Sequence, residues 1–224
     1  LYAITNTGYF YEIDILRGEI TLEKNISGVI GSVTNQLSIA LSGSRLFVPA
    51  IDSVFCLDLT GNKIWSFGTN MKPTSSPQVV NSHVYLGIGR DMVALNESSG
   101  ALIWTYSTTA DITSSPRVSK TLVYFGCEDK NIYALNESNG SLKWRYGTND
   151  KIHNSSPLVY GGMCIVGSYD FGVYCIDTTS PSFPPNGELR WKFPTTERIA
   201  SSPNVHSPSN TILIGGYDYN LYGI

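Results

Sequence analysis

The 224-residue chain is predicted to be all-β, a β-propeller of four-stranded antiparallel blades, from three landmarks that return at one interval. Tryptophan returns at Trp65, Trp104, Trp144 and Trp191. The triplet Ser-Ser-Pro returns at Ser75-Ser76-Pro77, Ser114-Ser115-Pro116, Ser155-Ser156-Pro157 and Ser201-Ser202-Pro203, each proline 12 or 13 residues after a tryptophan. An apolar run closed by glycine returns as Val84-Tyr85-Leu86-Gly87, Val123-Tyr124-Phe125-Gly126, Cys164-Ile165-Val166-Gly167 and Ile212-Leu213-Ile214-Gly215. A period of about forty residues marks one supersecondary unit that cannot bury its apolar face alone. Propellers keep such a period, whereas sandwiches rarely do.

Each period divides into four short strands, A to D. Strand A follows Ser-Ser-Pro, because a proline without an N–H belongs at a strand's first residue. Strand B is the β-branched and aromatic run that ends in glycine. A tight turn follows, and Asp52, Asp91, Asp129, Asp170 and Asp218 supply turn chemistry there. Strand C keeps one slot small, as Cys56, Ala94, Ala134, Cys175 or Gly223, which leaves room for a flat ring against the backbone. The C–D turn carries Gly61, Gly100, Gly140 or Gly187, free to adopt positive φ. Strand D carries the tryptophan. Glycine and proline punctuate the chain too often for a sustained helix.

By this count residues 1–24 hold strands B, C and D of a first blade, four complete blades run to about residue 195, and strands A, B and C end the chain. The first blade is the most degenerate, with Thr21 in the tryptophan's place and Gly31-Ser32-Val33 in place of Ser-Ser-Pro. About five and a half blades are thus visible. The expectation is a single domain over residues 1–224, cut from a ring of six to eight blades with one to three absent. The leucine at position 1 agrees with that expectation.

Composition narrows the function. Charged residues are 15% and hydrophobic ones 42%, which suits an ordered, packed β protein. A net charge of −3 leaves no electrostatic footprint for nucleic acid or an anionic membrane surface. No apolar run approaches a membrane span, so direct insertion is not expected.

The segments Ala94-Leu95-Asn96-Glu97-Ser98-Ser99-Gly100-Ala101-Leu102-Ile103-Trp104 and Ala134-Leu135-Asn136-Glu137-Ser138-Asn139-Gly140-Ser141-Leu142-Lys143-Trp144 resemble the tryptophan-docking repeat of the PQQ-like, quinoprotein-type β-propellers. The resemblance spans essentially the whole chain and is weakest over the first 45 residues. It implies that Trp65, Trp104, Trp144 and Trp191 are structural docking residues, with Gly61, Gly100, Gly140 and Gly187 as their partners. Each buried indole removes roughly 150–250 Å² from water, worth roughly 4–6 kcal/mol before entropy is counted. The family includes quinone-dependent alcohol dehydrogenases, outer-membrane assembly factors, sensor domains and many extracytoplasmic proteins, so it implies a fold more strongly than a function.

Dehydrogenases of this family add a vicinal cysteine pair, a calcium or lanthanide ion and a catalytic aspartate. The cysteines here are Cys56, Cys127, Cys164 and Cys175, none adjacent, and no compact acidic cluster lies outside the turns. The expectation is therefore a non-enzymatic scaffold or protein-interaction module outside the cytoplasm, with no catalytic residue, cofactor or metal. Its partner would be another protein or further blades of the same polypeptide. A quinone (PQQ)-dependent dehydrogenase, or a degenerate relative of one, is the first alternative, and an extracytoplasmic ligand-sensing domain the second.

The remaining candidates have plain readings. His83, His153 and His206 occupy three different repeat positions and show no metal-ligand spacing. Cys56 and Cys175 fill the small slot, and a Cys164–Cys175 disulfide across their hairpin is the less favoured alternative. The sequons at Asn25, Asn96, Asn136, Asn139 and Asn154 overlap turn positions. Two departures from the repeat are more informative. Six extra residues lie between Asp177 and Gly187, and two extra between Pro203 and Ile212. Both fall in turns on one face, where Phe183, Pro184, Pro185 and His206 are expected to form a partner contact. The D–A loops gather on the opposite face with Lys72, Asp111, Asp150, Lys151, Glu197 and Arg198, around the channel mouth where propellers commonly bind ligands.

Overall fold

The computed structural model describes residues 1–33, 37–179 and 187–224. Its strands fall into six antiparallel sheets, each a meander of consecutive strands. Blade 1 is β1 (Tyr2–Ile4), β2 (Tyr9–Ile13) and β3 (Ile20–Asn25), followed by the one-turn helix α1 (Ser27–Ile30). Blade 2 is β4 (Ala40–Ser42), β5 (Arg45–Pro49), β6 (Ser53–Asp58) and β7 (Lys63–Gly68). Blade 3 is β8 (Gln78–Val80), β9 (His83–Ile88), β10 (Asp91–Asn96) and β11 (Leu102–Ser107). Blade 4 is β12 (Arg117–Ser119), β13 (Leu122–Gly126), β14 (Asn131–Asn136) and β15 (Leu142–Gly147). Blade 5 is β16 (Leu158–Tyr160), β17 (Met163–Ser168), β18 (Gly172–Asp177) and β19 (Glu188–Pro194). Blade 6 is β20 (Asn204–His206), β21 (Thr211–Gly215) and β22 (Leu221–Gly223). Apolar clusters among the described residues join each blade to the next and none joins blade 6 to blade 1, so the blades form an open arc with the first strands β4, β8, β12, β16 and β20 on its inner side.

The middle strands are buried along nearly their whole length, while the outer strands β7, β11 and β15 alternate between buried and exposed. Stacking explains this: both faces of the middle strands meet neighbouring blades, while the outer strand borders water. Five apolar clusters correspond to the five junctions between blades. At the junction of blades 3 and 4, Tyr85, Met92 and Trp104 pack against Val123, Phe125 and Tyr133.

The small slot has a geometric reason. Ala94 lies in register between Tyr85 and Trp104, and the two rings meet beside it at 5.8 Å. Cys56 stands likewise between Phe47 and Trp65, and Ala134 between Tyr124 and Trp144. Each indole then reaches the next blade's C–D turn. A Cβ added to Gly100 would lie 2.5 Å from Trp65, one on Gly140 2.6 Å from Trp104, and one on Gly187 2.9 Å from Trp144. Trp65 Nε1 donates to the Glu97 carbonyl at 3.0 Å and Trp104 Nε1 to the Glu137 carbonyl at 2.8 Å. Gly61 is covered instead by Ile26 and Phe10. Trp191 is only partly buried and packs against the cluster that joins blades 5 and 6.

Several sequence expectations need correction. Register places Leu22, not Thr21, at the tryptophan's position in blade 1, because Leu22 pairs with Glu12 immediately before the bulge. The counterpart of Ser-Ser-Pro before blade 2 is Leu37-Ser38-Ile39, not Gly31-Ser32-Val33, since β4 begins at Ala40 and Ser38 makes the motif's hydrogen bond to Ser76. Helix α1 was not expected; Asn25 Oδ1 accepts from the Ser27 N–H at 2.9 Å and so turns the chain there. Cys164 pairs with Ile176 and Cys175 with Ile165, which puts the two thiols on opposite faces of the sheet and in different clusters. They are free and cannot bridge.

Candidate functional site

The D–A loops and the starts of the first strands frame a cleft of about 580 Å³ on the inner side of the arc. Its shape follows from the repeat. In three of these loops an isoleucine (Ile112, Ile152 or Ile199) is fully buried against the glycine that closes strand B, and Pro73 holds the place in the loop with Lys72. A Cβ on Gly126 would lie 2.2 Å from Ile152 and one on Gly167 2.0 Å from Ile199, so the glycine admits the loop's anchor. The residues following Ile112 and Ile152, Thr113 and His153, then line the cleft.

The two serines of Ser-Ser-Pro have separate tasks. The first, buried at Ser75, Ser114 and Ser155, accepts within its own blade: the N–H groups of Gly87, Gly126 and Gly167 donate to their Oγ atoms at 2.7, 2.9 and 2.9 Å, and Ser155 Oγ also donates to the Ser201 carbonyl at 2.8 Å. The second joins blades in a ladder along the inner wall. Ser38 N–H donates to Ser76 Oγ, Ser76 N–H to Ser115 Oγ, Ser115 N–H to Ser156 Oγ and Ser156 N–H to Ser202 Oγ, at 2.9 to 3.1 Å.

The aspartates of the B–C turns divide into two groups. Asp129, Asp170 and Asp218 each accept from the tyrosine four residues later, Tyr133, Tyr174 and Tyr222, and from the preceding D–A loop at Thr109, Asn149 and Thr196. The Thr196 and Tyr222 hydroxyls hold the Asp218 carboxyl down at about 2. Asp52 and Asp91 do not share this position: Asp91 begins β10 and accepts from Ser107 Oγ, and Asp52 gives its carbonyl to the Thr69 N–H. Blade 3 has one residue fewer in the turn, which shifts its aspartate into the slot of Asn131. Cys127 sits where blade 5 has Ser168. Its Sγ lies 3.3 Å from the Ala110 carbonyl, and burial raises the thiol to about 12.

One cluster at the cleft's rim was not anticipated. Glu128 of blade 4 accepts from His153 Nδ1 at 2.5 Å and pairs with Lys151 at 3.5 Å, both from the next loop. The His153 ring meets Tyr169 edge-on at 5.4 Å. Arg198 lies 5.2 Å from the Tyr169 ring and 4.5 Å from Tyr217. Glu128, Tyr169 and Tyr217 each precede one of the three aligned aspartates, so the pattern was present in sequence, but their partners lie some 16 to 29 positions away along the chain.

Of the expected partner contact, Phe183, Pro184 and Pro185 fall outside the described residues. His206 ends β20, and its Nδ1 lies 2.8 Å from Ser209 Oγ. The lengthened turn that follows reaches blade 5, where Tyr160 Oη donates to Asn210 Oδ1 at 2.8 Å. A Cβ on Gly162, in blade 5's A–B turn, would lie 2.7 Å from Thr179, in its C–D turn, so these turns share one face.

The family model described as outer membrane protein assembly factor BamB matches residues 50–222. The crystal structure of BamB from Moraxella catarrhalis is similar over 100% of this chain and 66% of that one, with a TM-score of 0.80 and 16% identity. The computationally designed Ika8 protein is similar over 99% of this chain and 66% of that one, with a TM-score of 0.79 and 15% identity. The chain thus spans 66% of the length of each of these two structures. No curated protein matches the sequence significantly.

Proposed function

We propose a role that starts from family: the chain belongs to the family of PQQ-like β-propellers described as outer membrane protein assembly factor BamB. In this reading it is a non-catalytic scaffold that acts outside the cytoplasm and holds another protein against one of its rims. The carrying observation is the family match, which covers four successive blades and most of the chain. Interlocked junctions support the reading physically. Glu137 alone accepts from Asn81, Tyr85 and Trp104 of the neighbouring blade, so turns are presented on a stiff frame. The tryptophans and their glycines are assigned the structural docking role in this frame. The partner contact is assigned to the face of the A–B and C–D turns, where the sequence inserts the segment with Phe183, Pro184 and Pro185 beside His206.

The test is a pull-down from extracytoplasmic extract with the wild-type chain and a Phe183→Asp/Pro184→Gly double variant of equal thermal stability. Loss of a specific band from the variant is the expected result, and retention of every band counts against this face. Addition of PQQ and calcium with an alcohol and a redox dye is expected to give no turnover. Dye reduction would replace the scaffold with a dehydrogenase.

A further inference from the structure

We propose that the inner cleft and its rim form a receptor for an acidic, extended peptide segment of a partner protein. This deepens the scaffold reading and rests on it, but it uses the face opposite the inserted turn.

The cleft's chemistry is that of donors. Ser76, Ser115 and Ser156 already accept a backbone N–H, and no acceptor among the described residues takes their hydroxyl hydrogens. Lys72 lines the same cleft without an ion pair among the described residues, and no carboxylate is among its lining residues. The neighbouring Glu128 is occupied by His153 and Lys151. Hydroxyl donors and a cation around a cleft with no carboxylate in its lining favour a ligand rich in acceptors, and a carboxylate can take several at once.

The surface continues beyond what a small anion would need. From His153 it passes to the Tyr169 ring and then to Arg198, which lies over Tyr169 and Tyr217 and has no carboxylate partner among the described residues. Lys72 and Arg198 occupy the same loop position in different repeats, so the serine ladder lies between two available cations. An extended chain could place one carboxylate at each cation and its backbone carbonyls toward the hydroxyls. The repeat position shared by Lys72, Lys151 and Arg198 is acidic only at Asp111, which makes that residue a sign test.

The experiment titrates the protein with a fluorescein-labelled hexapeptide of alternating Glu and Gly, against an equal-length Lys/Gly peptide, citrate and inorganic phosphate. The acidic peptide is expected to bind saturably, more weakly as salt rises. Lys72→Gln and Arg198→Gln should each weaken it by about fivefold or more, and Asp111→Lys should strengthen it. Lys143→Gln, on the outer strand β15, should change nothing. Absence of saturable binding, equal binding of the basic peptide, or indifference to Lys72 and Arg198 would overturn the proposal. Displacement by citrate or phosphate at equal concentration would overturn it in favour of a small-anion site. The Phe183→Asp/Pro184→Gly variant should bind the peptide normally, so failure here and failure of the partner face are read separately.

Discussion

The junction of blades 3 and 4 and that of blades 1 and 2 use the same socket with different contents. Both place a C–D turn glycine at positive φ, +69° for Gly140 and +77° for Gly61, beneath apolar atoms of the preceding blade. In the first, an indole fills the socket and its N–H is latched to Glu137. In the second, Ile26 and Phe10 cover the glycine at 3.3 and 3.4 Å from an added Cβ, without a donor. The polar latch moves elsewhere: Lys24 Nζ donates to the Thr60 carbonyl at 3.1 Å and to Asn62 Oδ1 at 2.6 Å. A positive-φ glycine under apolar atoms is what the two junctions share, although the turn of blade 2 is one residue shorter, and the tryptophan is one way of covering it.

That comparison predicts unequal losses. Trp104→Ala should cost about 3–5 kcal/mol, the range for large buried truncations, because it empties the socket and strands the Glu137 carbonyl. Leu22→Ala, at the corresponding register position of blade 1, should cost about 1–2 kcal/mol because Leu22 is only partly buried. Chemical denaturation midpoints of the two variants would decide, and equal losses would break the distinction between indole and aliphatic filling.

A glycine series separates contact from backbone strain. Gly140→Ala combines a left-handed φ with a Cβ 2.6 Å from Trp104, so about 3 kcal/mol or more is expected. Gly61→Ala meets side-chain atoms only at 3.3 Å and should fall between the extremes. Gly18→Ala has φ +69° and nothing within 4 Å of the new Cβ, which leaves the backbone term of about 1–2 kcal/mol. If all three variants lost the same stability, the indole would contribute nothing beyond the turn conformation.

Strand positions were legible because they obey short-range rules. Proline after two serines begins β8, β12, β16 and β20 within one residue, and each glycine-closed run is a strand B. Contacts between blades were less legible, since they join residues some twenty to forty positions apart. The pair Glu128 and His153 is one case, and the serine ladder is another. Degeneracy caused the errors in blade 1, where Leu22 and Ser38 lack the tryptophan and proline that mark their places elsewhere. The aspartates show a subtler failure. Counting Asp52 and Asp91 with Asp129, Asp170 and Asp218 ignored a one-residue difference in turn length, although the Asp-x-x-x-Tyr spacing of the last three was visible.

The smallest predicted effect compares two C–D turns whose first residues accept from the backbone alike but differ in charge. Asn96 opens this turn in blade 3, and its Oδ1 accepts from the Ser98 and Ser99 N–H groups at 3.0 Å. Asp177 opens it in blade 5, accepting from Thr179 N–H at 2.6 Å and from Arg190 Nε at 2.8 Å. The Thr179 N–H foremost, then its hydroxyl and Arg190, hold the Asp177 carboxyl down at about 2, from an ordinary 3.8. A carboxyl that is more acidic in the folded chain binds fewer protons there than in the unfolded chain between those two values. Its stabilisation is therefore complete above about pH 4 and is lost as the pH falls through about 2. Asp177→Asn keeps the acceptor that Asn96 already supplies in blade 3 and removes the titration. Its denaturation midpoint should lie below that of the wild type at neutral pH and approach it between pH 4 and 2. A gap that stays constant across that window would mean that the Thr179 and Arg190 contacts distinguish this turn in shape alone.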